Sequence, residues 1–185
     1  MSHHGQRRIV WLLFVTVLFG CTSEPAADDD VYENVMSFDT AHVSLASPRY
    51  TMRLTVQLAV SDAQKTMGLM ERRHLADTAG MLFVYDSTQP PDAGFWMYRT
   101  RIPLDIAFLD SAGVIRAVRS MTPCPTTIAQ GCPLYTPDVS YRYALEVNAG
   151  FFARHGIAVG HSVVLRDVPG VSAAAMPSPS APQVP

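Results

Sequence analysis

Three short apolar runs, rich in aromatic residues, lie close together in residues 80–110 and limit what the chain can fold into. They are separated by Pro90-Pro91 and by Pro103. Apolar runs of this length between turn residues are typical of β-strands, because globular helices need more residues. The same stretch carries Trp96 and several charged side chains, a mixture that a plain core strand would not have. We therefore expect the functional surface here.

Other parts of the chain predict strands by strict alternation of apolar and polar side chains. Residues 51–60 alternate throughout, and residues 141–147 place Glu146 on the less apolar of two faces. A period of two residues predicts a strand with one buried face. Residues 110–113 predict a hairpin turn, in which Gly113 is available for a positive φ.

Two short helices complete the predicted domain. Ser61 and Gln64 form a capping box that predicts a helix of about ten residues, ending towards Arg73. Asn148 predicts the N-cap of a second helix, and Gly156 predicts its end. About seven strands and two short helices, joined by short loops, indicate the α+β, mainly β class. We predict a compact antiparallel β-barrel or sandwich over residues 41–168.

Residues 1–20 are predicted to be a signal peptide of the lipoprotein type. Arg7 and Arg8 precede an apolar run at residues 9–19, which is short for a membrane-spanning helix. The sequence Leu-Phe-Gly-Cys at residues 18–21 then resembles a bacterial lipobox. Cys21 is therefore the predicted lipidation site. An ordinary secretory signal and an uncleaved anchor are the alternatives.

The lipid anchor predicts a protein of the cell envelope that faces the periplasm. Thr22 is not the aspartate of an inner-membrane retention signal, so the outer membrane is favoured if the host is Gram-negative. Residues 21–40 form an acidic, disordered tether and residues 169–185 a disordered tail rich in Pro, Ala and Ser. With 14 basic and 16 acidic side chains, the composition does not indicate a nucleic-acid partner.

Cys124 and Cys132 are the two remaining cysteines, eight positions apart in a loop rich in proline. An exported protein enters an oxidising compartment, so we predict a structural disulfide. A redox-active pair would favour the Cys-x-x-Cys spacing, and a metal site would favour a histidine nearby. Both are weaker alternatives here.

Six short motifs resemble, in order, those of the domain of unknown function 192, also called uncharacterised protein family 0127. They occupy residues 56–59, 67–72, 80–85, 95–97, 102–110 and 144–150. The resemblance covers about residues 52–168 and implies a compact β-rich domain without an established biochemical activity. Tyr98-Arg99-Thr100 stands where family members usually have Lys-Asn-Thr, and Gly160-His161 stands where they usually have Gly-Asp.

The main candidate binding site is a set of side chains with an aromatic wall, guanidinium groups for an anion and orienting polar groups. Its members are Trp96, Met97, Arg99, Thr100, Arg101, Asp105 and Glu146. In the alternative interpretation, the tryptophan and methionine are core residues and an arginine pairs with Asp105 around Pro103. If Asp105 and Glu146 converged, they could instead perform acid–base chemistry.

Met67, Met70 and His74 have a spacing that could hold Cu(I), although methionines at helical spacing are more often core residues. Three hypotheses follow for a lipid-anchored envelope protein. The first is a module that binds an unknown small molecule or envelope protein, with no cofactor. The second is a hydrolase of an envelope substrate that uses Asp105 and Glu146. The third is a periplasmic copper-binding protein.

Overall fold

The computed structural model describes residues 36–47 and 51–165, together with residues 168 and 171. The predicted signal peptide, Cys21, most of the tether and most of the tail lie outside these described residues. Within them, no helix has the length and apolar character needed to cross a membrane. The elements are β1 Thr40–Ala46, β2 Thr51–Ala59, α1 Asp62–Met67, β3 Ala79–Gln89, β4 Phe95–Trp96, β5 Leu104–Leu109, β6 Ile115–Met121, β7 Leu134–Tyr135, β8 Tyr141–Asn148, α2 Phe151–Arg154 and β9 Ser162–Val164.

Seven strands form one sheet in the order β6-β5-β8-β3-β2-β1-β9, while β4 and β7 pair separately. The sheet curls until its edges meet, where Val163 N–H donates to the Gly113 carbonyl at 2.8 Å. The structure therefore confirms the mainly β class with two short helices. The wholly antiparallel arrangement is wrong at one place, because β2 and β3 are parallel. The segment that contains α1 supplies the long crossover that a parallel pair needs.

Both helices are shorter than the sequence predicts. The capping box of α1 is confirmed, since Gln64 N–H donates to Ser61 Oγ at 3.2 Å and Ser61 N–H donates to Gln64 Oε1 at 3.0 Å. However, α1 ends at Met67 because Gly68 leaves the helical region with a φ of +50°. Asn148 is not the N-cap of α2; its side-chain amide donates to the Leu75 carbonyl at 2.9 Å.

The central strand β8 is buried on both faces, which separates two apolar clusters. Leu145 and Val147 face a cluster to which all seven strands of the sheet contribute. Ala144 faces a second cluster on the other side, covered by the loop after α1 and by the β4–β7 sheet. Because side chains alternate along a strand, Glu146 points to this second side.

A disulfide joins Cys124 to Cys132, with their Cα atoms 5.4 Å apart, as the sequence predicts. The Cys124 side chain packs against the second apolar cluster. Its backbone N–H also donates to the Met97 carbonyl at 3.3 Å. The bridge therefore fixes the start of the loop that leads to β7.

Replacing both Cys124 and Cys132 with serine is expected to lower the free energy of unfolding by about 2–3 kcal/mol, because a closed loop of this length restricts the unfolded chain. Urea unfolding followed by circular dichroism measures the loss. Wild-type protein treated with dithiothreitol is the matched control and should unfold at nearly the same urea concentration as the double variant. Equal midpoints for the oxidised wild type and the double variant would contradict the prediction.

Candidate functional site

A cleft of about 110 Å³ opens on the second side of the sheet, between the end of α1, strands β3 and β4, and the centre of β8. Its lining residues are Lys65, Thr66, Met67, Gly68, Leu69, Met70, Phe83, Tyr85, Gly94, Phe95, Trp96, Thr100 and Glu146. Aromatic rings form much of the wall, and among the described lining residues Glu146 is the only acidic one. The cleft thus combines aromatic side chains with polar groups that a ligand could contact.

The sheet places Glu146 at the base of this cleft. In the strand register, Glu146 lies opposite Met81 of β3 on one side and Ile106 of β5 on the other. Directly opposed side chains share one face, so the carboxyl group emerges between two apolar neighbours. On β3, Phe83 and Tyr85 follow Met81 at alternating positions and continue the same face as the wall of the cleft.

Phe95 connects this wall to the core beneath it. Its ring packs edge-on against Phe83, with centroids 4.9 Å apart, and against Phe108 at 5.7 Å. The backbone can come this close because Gly94 has no side chain. A Cβ atom at Gly94 would lie 2.9 Å from the Tyr135 carbonyl oxygen of β7. Gly94 therefore allows the β4–β7 sheet to close over the cleft.

Glu146 is only 4% exposed, and no described residue forms a hydrogen bond or ion pair with its carboxyl group. Every fully enclosed side-chain oxygen or nitrogen of the described residues does have a partner. The unpartnered carboxyl must therefore reach the open cleft. Burial disfavours its charged form and raises the pKa of Glu146 to about 8.

Lys65 and Tyr85 form the upper part of the cleft. The Lys65 ammonium lies 5.0 Å from the centre of the Tyr85 ring and 3.7 Å from Asp62 Oδ1. Burial raises the pKa of the Tyr85 hydroxyl, and the nearby Tyr141 and Glu146 raise it further. The wall of the cleft thus already accommodates one ammonium group, since an aromatic face attracts a cation.

The structure brings only some of the predicted binding residues together. Trp96 lies at the mouth of the cleft, 40% exposed, and packs against Tyr98 at 5.9 Å. Thr100 also lines the cleft, although it is buried. Met97 does not line the cleft. It is a core residue of the second apolar cluster, as the alternative interpretation proposed.

Arg99 and Arg101 both bind Glu71, a residue that sequence reasoning missed. Arg99 Nε donates to Glu71 Oε1 and Arg101 Nε to Glu71 Oε2, each at 2.6 Å. The hydrogen bond from Arg99, with smaller help from Arg101, lowers the pKa of Glu71. Glu71 N–H also donates to the Arg99 carbonyl at 2.8 Å. These contacts, which we call the Glu71 clamp, join the loop after α1 to the loop before β5.

Asp105 and Glu146 do not converge, so the condition for an acid–base pair is not met. In the register of β5 and β8, Asp105 lies opposite Val147, and Ile106 lies opposite Glu146. The two carboxyl groups therefore point to opposite faces of the sheet. On its own face, Asp105 accepts a hydrogen bond from Ser120 Oγ at 2.7 Å. The alternative interpretation suggested an arginine as the partner of Asp105. In the structure the partner is Ser120.

The three candidate copper ligands are also divided. Met67 and Met70 line the cleft, but His74 is exposed and lies outside the lining. Across the part of the chain that the structure describes, no group of three or more His, Cys, Asp or Glu side chains could hold a metal ion. Met67 and Met70 add soft apolar surface to the cleft.

The fold and the cleft define a small, mainly β domain in which a buried acidic side chain faces an aromatic cleft. The chain belongs to the family of the domain of unknown function 192, described as "Uncharacterized ACR", whose model matches residues 44–165. No curated protein matches the chain.

The solved structures that resemble the domain include the following two. One is a candidate transcription regulator from Sinorhizobium meliloti 1021, with 34% identity and a TM-score of 0.63, covering 69% of this chain and 95% of that one. The other is a protein of unknown function from Novosphingobium aromaticivorans DSM 12444. It has 28% identity and a TM-score of 0.61, covering 70% of this chain and 87% of that one.

Proposed function

We propose that this chain is a membrane-anchored envelope lipoprotein whose β-rich domain binds a small ligand in the cleft at Glu146. The observation that carries the proposal is the Glu146 carboxyl, which is buried, has no partner among the described residues and is open to an aromatic cleft. A carboxyl group that little water reaches gains free energy from a polar or charged partner. A ligand that reaches the base of the cleft would supply that partner.

The geometry favours binding over hydrolysis. General acid–base hydrolysis needs a second group positioned near the first, and Asp105 lies on the opposite face of the sheet from Glu146. The arginines that were candidates for an anionic ligand are engaged in the Glu71 clamp. That clamp instead holds two loops together near Thr100, which lines the cleft. The site is thus a shaped cleft rather than a catalytic pair.

Trp96 provides a direct test of ligand binding. The chain has two tryptophans, and Trp96 is the only one that remains once residues 1–20 are removed. The mature lipoprotein, without residues 1–20 and purified from membranes in mild detergent, should therefore show a saturable change in tryptophan fluorescence when a small molecule enters the cleft. Suitable probes are tert-butylammonium, tert-butanol and pivalate, which share one compact apolar body. Unchanged fluorescence and no heat of binding with all three would count against the proposal.

The membrane anchor has its own test. Cys21→Ser should release the protein from the membrane fraction and abolish incorporation of radiolabelled palmitate. Ser23→Ala is the matched control, because it is an equally small change close to Cys21 that leaves the lipobox and the Cys124–Cys132 disulfide intact. Continued lipid labelling of the Cys21→Ser variant would overturn the lipoprotein part of the proposal.

A further inference from the structure

The chemistry of the cleft indicates which class of ligand it accepts, and this inference rests on the function proposed above. Four aromatic side chains line the cleft beside Glu146, namely Phe83, Tyr85, Phe95 and Trp96. The face of an aromatic ring carries a negative partial charge and attracts cations, most strongly where water is excluded. Aromatic walls around a carboxyl group therefore form a suitable environment for an ammonium ion.

The structure itself shows that this wall accepts a cation. Lys65 places its ammonium over the ring of Tyr85, and its side chain is only 15% exposed. The charge of Lys65 is paired with Asp62 at the rim. Lys65 does not form an ion pair with Glu146, so the carboxyl at the base is left for a second cation.

The size of the cleft limits the ligand. Its volume of about 110 Å³ is somewhat below the roughly 150 Å³ of an engineered apolar cavity that binds benzene. We propose that the cleft binds a small organic cation of about five non-hydrogen atoms in total, with the Glu146 carboxylate as its counter-ion. Such a cation has one ammonium group on a compact apolar body.

Binding of such a cation is coupled to release of a proton. Because burial raises the pKa of Glu146 to about 8, the carboxyl is mostly protonated at pH 7 and must ionise to pair with an ammonium. The other titratable groups that face the cleft are Lys65 of α1 and Tyr85 of β3, while Asp105 of β5 lies on the opposite face. The affinity for the cation should therefore increase about tenfold per unit as the pH rises towards 8, and it should be constant above pH 8.

Three probes with the same tert-butyl body separate the effect of charge from that of shape. Full-length protein in mild detergent is titrated by calorimetry at pH 6, 7, 8 and 9 with tert-butylammonium, tert-butanol and pivalate. At pH 8 we expect tert-butylammonium to bind at least tenfold more tightly than either of the others. Glu146→Gln should weaken tert-butylammonium at least tenfold and remove the pH dependence. Asp105→Asn, which changes a buried carboxyl on the opposite face, should preserve both.

The possible failures are distinguishable. If tert-butanol or pivalate binds as tightly as tert-butylammonium, the cation proposal is overturned but ligand binding in the cleft stands. If none of the three binds, both proposals fail. The comparison of probes on the wild type does not depend on the folding of any variant. A tert-butylammonium affinity that is constant from pH 6 to 8 would exclude Glu146 as the counter-ion.

Discussion

Raising the pH from 5 to 9 is expected to destabilise the wild-type protein by about 4 kcal/mol, and Glu146→Gln is expected to remove that loss. The Glu146 pKa is raised from 4.5 to about 8 in the folded state. Between these values the folded protein holds a proton that the unfolded chain has released. The stabilisation from this proton is therefore complete below pH 4.5 and is lost as the pH rises through 8.

Urea unfolding at pH 5, 7 and 9 measures this dependence. The free energy of unfolding of the wild type should fall with pH by up to about 1.4 kcal/mol per unit, while that of Glu146→Gln should change little. Asp105→Asn is the control and should retain the wild-type slope. Glu71 has a lowered pKa, so its effect has the opposite sign and appears only as the pH falls into the acidic range. Equal slopes for the wild type and Glu146→Gln would show that the carboxyl does not titrate as the structure implies.

The sequence predicted the face of Glu146 on β8 but not how β8 pairs with its neighbours, and it was wrong for Tyr141, which packs in the second apolar cluster and not with Leu145. Alternation placed Glu146 on the face opposite Leu145, and the structure agrees. Whether Asp105 would meet Glu146 depended on the register between β5 and β8. A shift of one residue moves every side chain of a strand to the other face. Since neither strand carries a signal for that offset, the acid–base pair was an open hypothesis that only the structure could test.

The Glu71 clamp and the cleft were missed for a similar reason. Arg99 and Arg101 are 28 and 30 positions from Glu71 along the chain, and no local pattern pairs them. The early end of α1 at Gly68 is what turns the following loop towards the strands. Gly68 was visible in the sequence, and a glycine at the end of a helical pattern is a stop signal. The charge of Arg73 also suits a helix end and favours a later stop, and that prediction is wrong.

Tyr141→Ala is expected to lower the free energy of unfolding by about 3–5 kcal/mol, as for other large aromatic core residues. Tyr141 is 2% exposed and its ring packs against Phe108, with centroids 4.9 Å apart, and against Tyr85 at 5.6 Å. Its hydroxyl donates to the Ala93 carbonyl at 3.0 Å, next to Gly94 at the cleft. Removing the ring would leave a cavity behind the aromatic wall.

Tyr141→Phe separates the ring from the hydroxyl. This variant keeps the packing against Tyr85 and Phe108 but leaves the Ala93 carbonyl without its donor, so we expect a loss of only about 1–2 kcal/mol. Urea unfolding at pH 5, where Glu146 is largely protonated in the folded state, compares the two variants. Similar losses for both would mean that the hydrogen bond to Ala93, rather than the ring, supports the wall. In that case the aromatic contacts behind the cleft would contribute little to its shape, and Tyr141→Phe would weaken probe binding as much as Tyr141→Ala does.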